Sequence, residues 1–184
     1  MNTNLGPRPF FCLTVVASSD GFIARDPSDA PQNWASKEEQ RLFLQDVNAA
    51  DWAIMGRKTH EAADKPERRR IVFSRNREGW QRPTQFWCDP STMTPRDLAE
   101  AVKAVGPLSA GLILGGTAVH DWFLAHDAID RLHLTIEPVE FGAGLPIFSD
   151  HKGGPEAVLA AAGFRKVQDD PLNAGGTRYQ IWLP

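Results

Sequence analysis

A chain of 184 residues, 42% hydrophobic and 23% charged, has an ordinary globular composition and the length for one well-buried core rather than two full domains. Its net charge of -3 excludes long-range attraction to nucleic acid or an anionic membrane, so any bound anion has to be held by a local basic site. Two cysteines, Cys12 and Cys88, make neither a disulfide framework nor a zinc cluster.

Both cysteines lie in apolar stretches, where buried free thiols are expected. The longest apolar run, 10–17, is far shorter than the roughly 20 residues of a membrane helix. Segment 1–9 has no apolar signal core. The expectation is one cytoplasmic domain, 1–184, with a small-molecule substrate and neither nucleic acid nor membrane as partner.

In chain order, 10–17 is almost wholly apolar and rich in β-formers, as in a strand buried on both faces. Asp20-Gly21 breaks it, and a polar loop with two prolines runs to Pro31. Ser36-Lys37-Glu38-Glu39 forms a capping box that opens a helix with Phe43, Val47 and Ala50 on one apolar face. Strand 52–55 ends at Gly56, and the short helix after it stops at Lys65-Pro66. Strands 71–73 and 84–87 follow. Thr94-Pro95-Arg96-Asp97 combines an N-cap, a first-turn proline and an acid at the positive dipole end. Leu98, Ala101, Val102 and Val105 form that helix's apolar face, and Gly106-Pro107 terminates it.

Strand 112–114 leads through Gly115-Gly116 into helix 117–125, which packs Val119, Trp122 and Phe123. From 131 to 138 apolar and polar residues alternate, as in a half-exposed strand. Helix 155–162 ends at Gly163, and strands 164–168 and 178–183 form a terminal hairpin around Gly175-Gly176. Alternating strands and helices imply βαβ crossovers, hence an α/β fold with a mainly parallel sheet and an antiparallel edge.

Two strand-to-helix junctions carry glycine, where open α/β sheets gather ligands. Gly56-Arg57-Lys58-Thr59 and Gly115-Gly116-Thr117 each offer close backbone approach, a helix start and a hydroxyl. Ser74-Arg75 adds a hydroxyl and a guanidinium at a third strand end. The set suits a dinucleotide with an extra phosphate, which arginine can bind bidentately.

These motifs carry a family resemblance. Met55-Gly56-Arg57-Lys58-Thr59-His60-Glu61 is similar to the cofactor motif of dihydrofolate reductases. Residues 17–24, 130–138 and 142–148 resemble, in order, the first strand and loop and the penultimate strand and its loop of another family. That family is the reductase (C-terminal) domain of the bifunctional riboflavin-biosynthesis deaminase-reductase. The resemblance implies a three-layer dihydrofolate-reductase-like fold with an eight-stranded sheet, and NADPH as hydride donor. By position, Gly56, Arg57, Lys58 and Thr59 lie by the pyrophosphate and 2′-phosphate, and Ser74 and Arg75 flank the adenosine. Gly115, Gly116 and Thr117 hold the pyrophosphate, while Val16 and Ala17 back the nicotinamide. Relatives in the riboflavin pathway tend to be dimers, and Trp80 and Trp182 are candidate exposed interface residues.

The substrate side departs from both families. Leu114 stands where the riboflavin enzymes have a pyrimidine-binding glutamate, and 60–64 lacks their Arg and Asp pair. Asp20, after a buried strand, is the expected catalytic proton donor, through a raised pKa, with a turn aspartate before Gly21 as its rival role. Trp34 can stack on a flat heterocycle. Dihydrofolate reductases place their carboxylate early in the first long helix, where this chain has Glu38 and Glu39. Glu39 is assigned to the capping box, and Glu38, Trp34 and Leu114 are the substrate-side candidates.

The five histidines show no ligand spacing, no Ser-His-Asp signature appears, and Arg68-Arg69-Arg70 reads as a solvated turn. The expectation is an NADPH-dependent reductase of a pteridine- or pyrimidine-like molecule, including the ribosylaminouracil reductase type. The alternatives are dihydrofolate reduction or a non-catalytic nucleotide-binding protein.

Overall fold

The computed structural model describes residues 8–184, so most of the segment read for a signal core lies outside the described residues. The first half runs β1 (Phe10–Ser18), β2 (Phe22–Ala24), α1 (Lys37–Ala49), β3 (Trp52–Gly56), α2 (Arg57–Ala62), β4 (Arg70–Phe73), β5 (Gly79–Arg82) and β6 (Gln85–Cys88). The second runs α3 (Pro95–Val102), β7 (Ala110–Gly115), α4 (Thr117–Ala125), β8 (Arg131–Glu137), β9 (Leu145–Pro146), α5 (Pro155–Ala161), β10 (Arg165–Pro171) and β11 (Arg178–Leu183).

The main sheet has nine strands in the order β10-β11-β8-β1-β7-β3-β4-β6-β5, one more than expected. The pairs from β8 through β6 are parallel, and β11 and β10 close one side as an antiparallel hairpin. The unforeseen strand is β5, an antiparallel edge on β6. Its sequence, Gly-Trp-Gln-Arg, has almost no apolar signal because three of its four residues are exposed. The polar loop after β1 also holds a short strand, β2, paired with β9 in a separate ribbon.

Apolar periodicity explains one face. Phe11, Leu13 and Val15 of β1 and Leu132 and Leu134 of β8 point into a core closed by Leu98 and Val102 of α3, Val119 and Phe123 of α4, and Val158 and Leu159 of α5. Rings of Phe11, Phe73 and Trp122 surround Phe123, with centroids 4.9–6.2 Å away. The Thr94 entry forms a full capping box with Asp97, but α3 ends at Val102, leaving Val105 outside it and 38% exposed.

The other face carries α1 and α2, and here the expectations change. Glu39 is the buried residue of α1, while Phe43 and Val47 are only half-buried. The strand read as half-exposed, β8, buries both faces because its polar side, Thr135 and Glu137, lies beneath α1. Arg70, read as part of a solvated turn, is buried against His60 of α2 at 3.1 Å. Trp182 is buried at 4% exposure and unsuited to an interface, whereas Trp80 is exposed. Both thiols are free, Cys12 only partly buried, and burial pushes each up to about 12. No helix among the described residues is long and apolar enough to cross a membrane.

Phe123→Ala is expected to lower the unfolding free energy by about 3–5 kcal/mol in urea, because it empties a fully buried ring site. Leu44→Ala, at a 52% exposed position, is expected to cost under about 1 kcal/mol.

Candidate active site

The carboxyl ends of β1, β3, β4 and β7 border a cavity of about 1340 Å³ that extends between α1 and α2. Of the residues expected to hold a cofactor, Val16, Gly56, Arg57, Lys58, Thr59, Ser74, Arg75, Gly116 and Thr117 line it, and so does Leu114. Ala17 and Gly115 stand behind the wall, both buried.

Local geometry explains the arrangement. β3 ends at Gly56 and α2 begins at the next residue, so Arg57 and Lys58 leave the first turn as exposed cations. Arg57 meets Glu61 only at 3.7 Å, with both side chains about half exposed, a weak pairing that leaves the guanidinium available. Gly115 has φ +101°, and a Cβ there would lie 2.7 Å from His120 Nε2, so no larger residue fits. A Cβ on Gly116 would meet no atom within 4 Å, because it would project into open space. Gly116 is the N-cap of α4 and makes no side-chain cap bond, which leaves that helix start for an anion.

The Thr117 hydroxyl donates to the Pro146 carbonyl at 2.6 Å, so it fastens the loop of β9 instead of pointing a proton into the cavity. His120 Nδ1 reaches the Ile147 carbonyl at 2.9 Å and fastens the next residue. Burial drives the His120 imidazole down to about 4, which keeps it neutral.

Asp20 does not line the cavity, and its expected role is corrected. Its carboxylate accepts from the Ser18 hydroxyl at 2.6 Å and from the backbone N–H groups of Phe141 and Gly142, the latter at 2.7 Å. Burial pushes the carboxyl up, but these hydrogen bonds outweigh it, and the net shift is downward. Asp20 is a carboxylate at neutral pH that ties the end of β1 to the 141–142 loop. Gly21 follows with φ +96°, and a Cβ there would come within 2.1 Å of the Gly153 carbonyl oxygen.

Trp34 and Glu38 also lie outside the cavity lining. Trp34 packs edge-on against Phe141, centroids 4.9 Å apart, with its Nε1 buried and unpartnered. Glu38 accepts from Asn173 at 3.3 Å, and its carboxyl is held down first by its own backbone N–H and then by Asn173.

The group that sequence reasoning set aside is Glu39. It lines the cavity, is 5% exposed, and its carboxyl is pushed up to about 7, by burial first and then by Glu137 and Asp46. The capping box is only half formed: the Ser36 hydroxyl accepts from Glu39 N at 3.2 Å, but Ser36 N donates to Glu137 and not to Glu39. A signal was present, because Glu39, Phe43 and Val47 recur every four residues and form one helical stripe. That stripe faces the cavity. Among the described residues no group of three His, Cys, Asp or Glu is placed to hold a metal ion.

The fold is shared with several solved structures. *Acinetobacter baumannii* RibD superposes with a TM-score of 0.73 at 16% identity, over 96% of this chain and 58% of that one. A *Shewanella* sp. PV-4 protein assigned to riboflavin biosynthesis gives 0.67 at 19% identity, over 95% and 98% of the two chains. *Enterococcus faecalis* dihydrofolate reductase, solved with NADP(H) and RAB-propyl, gives 0.64 at 19% identity, over 95% of each chain. No curated protein matches the sequence. The family model of the RibD C-terminal domain matches residues 9–171, and the chain belongs to that family.

Proposed function

We propose that this protein is an NADPH-dependent reductase of a flat pteridine- or pyrimidine-like substrate, with Glu39 as the proton donor. The observation that carries the reading is one cavity with a basic glycine cradle at the strand ends and a buried carboxylic acid on its wall. Arg57, Lys58 and Arg75 supply charge for a dinucleotide with an extra phosphate, and the open start of α4 beside Gly116 suits its pyrophosphate.

When bound, NADPH supplies a hydride to the carbon of a C=N or C=O bond. Glu39 gives its proton to the nitrogen or oxygen of that bond and recovers one from water. Phe43, Val47 and Leu114 offer the ring an apolar wall and exclude water from the reacting bond. Leu114 brings no polar group, so the polar contact to the ring is assigned to Glu39.

Lys58→Ala or Arg75→Ala is expected to raise the Kd for NADPH roughly 10-fold or more and to leave NADH unchanged, as read by fluorescence titration. Equal affinity for the two cofactors in the unmodified protein would overturn the phosphate assignment. Glu39→Gln is expected to abolish NADPH oxidation against dihydrofolate or the ribosylaminouracil substrate while NADPH still binds. Because the acid form is needed, turnover in the unmodified protein should persist below pH about 7 and fall as pH rises through it. Binding without turnover of any such substrate would favour a non-catalytic nucleotide-binding role.

Asp20→Asn is expected to leave that pH profile in place and to lower thermal stability at neutral pH. The depressed carboxyl contributes stability above its unfolded value of about 3.9, and that stability is lost as pH falls through the lower folded value. The gap in Tm between variant and parent should therefore close in acid.

A further inference from the structure

Glu137 sits at the end of β8, 3% exposed, in the sheet face beneath α1. Its Oε1 accepts from Ser36 N at 2.7 Å, and its Oε2 accepts from the Thr177 hydroxyl at 2.7 Å. Asn173 braces the same spot, donating from Nδ2 to Thr177 Oγ1 at 3.0 Å and accepting from Thr177 N at 3.1 Å. In a complete capping box the carboxyl of Glu39 would return to Ser36 N and be consumed there. A residue about a hundred positions away makes that bond instead, and Glu39 is left facing the cavity.

Burial pushes the Glu39 carboxyl up first, and the charges of Glu137 and then Asp46 add to it. The hydrogen bonds treat the two carboxyls differently. Glu137 receives two donors suited to a carboxylate, whereas no described side chain donates to Glu39. Besides Glu137, the charge that acts on Glu39 is that of Asp46. Asp46, on α1, is a carboxylate held by Thr14 at 2.6 Å and by His133 of β8 at 2.9 Å. Tyr179 of β11 stacks edge-on against His133, and burial keeps its phenol neutral. Glu38 on α1 is held ionised, with Arg41 and Lys37 of the same helix acting on it, and the exposed Arg131 of β8 acts on Cys12 and Tyr179.

We propose that Glu137 is the positioning residue for Glu39: it takes over the helix cap that Glu39 would otherwise make, so the Glu39 carboxyl is left on the cavity wall with a second buried acid behind it. The catalytic meaning rests on Glu39 as proton donor; the coupling between the two carboxyls does not. In this arrangement a residue of β8 positions a group on α1 without touching the cavity.

The test is a ¹³C-carboxyl NMR titration of Glu39 in the full chain, paired with the pH profile of NADPH oxidation. In Glu137→Gln an amide oxygen still accepts from Ser36 N while the charge is gone. The Glu39 titration should move down by about one pH unit or more, and the basic limb of the activity profile should move with it. Glu137→Ala removes the cap acceptor as well, so Glu39 should turn back to Ser36 N and turnover should fall at every pH, with the Gln variant restoring part of it. Thr177→Val, which withdraws one donor from Glu137, should move the Glu39 titration down by a smaller amount, and it carries the test if the Glu137 variants do not fold. An unchanged Glu39 titration in Glu137→Gln, or in Thr177→Val if only that variant folds, overturns the proposal. Turnover that survives Glu39→Gln overturns the donor assignment instead, and leaves the carboxyl coupling to be read from the NMR titration alone.

Discussion

Parallel hydrogen-bond pairing of β1, β7, β3 and β4 brings every one of these strands to the same edge, and the arrangement of the site follows from that. A parallel ladder forces the chain to leave each strand at the same side and return through a crossover, so helix starts accumulate at one end of the sheet. Met55 pairs with Gly115, and Gly56 lies close to the Gly115 carbonyl, so two glycine turns distant in sequence become neighbours in one wall. Gly56 also pairs with Phe73, which places Ser74 and Arg75 next along the same edge. Three short basic or hydroxyl-bearing segments thereby act as one surface, although none is distinctive alone.

The two faces of the sheet are held by different forces. On the side of α3, α4 and α5, aliphatic and aromatic side chains close a dry core whose stability comes from area removed from water. On the side of α1, polar bonds do the fastening: Ser36 to Glu137 near the helix start, and Asp46 to Thr14 and His133 near its end. Hydrogen bonds to charged groups contribute about 1.5–3 kcal/mol each, enough to seat a helix that buries little apolar surface. The consequence is functional. With the helix pinned at Ser36 and at Asp46, Phe43 between the pins and Val47 beside the second stay half-buried and line the cavity.

Asp20 and Glu39 illustrate how surroundings divide the work between two carboxyls, and they reverse the order in which the sequence ranked them. Both experience burial that favours the neutral form. Asp20 also receives a hydroxyl and backbone N–H groups, which favour the anion and win. Glu39 has carboxylates for neighbours, which add to burial and keep the proton in place. The one is suited to anchoring a loop, the other to proton transfer.

Features set by neighbours in the chain were legible from the sequence. The buried run of β1, the Thr94-Pro95 helix entry, the glycine turns after β3 and β7, and the cations beside them all depend on local propensity and spacing, and all recur in the structure. What depends on distant partners was not legible. The edge strand β5 has no apolar pattern of its own and exists because β6 offers it hydrogen bonds. The polar side of β8 looked solvent-facing until α1 covered it, and Trp182 looked available until the sheet closed over it. Whether Ser36 N–H goes to Glu39 or to Glu137 is a contest between a residue three positions away and one about a hundred away. Local periodicity determined the scaffold and the basic cradle of this protein; only the tertiary structure decided which carboxyl faces the cavity and is shifted toward its acid form, because that answers to burial and to donors brought in from other strands.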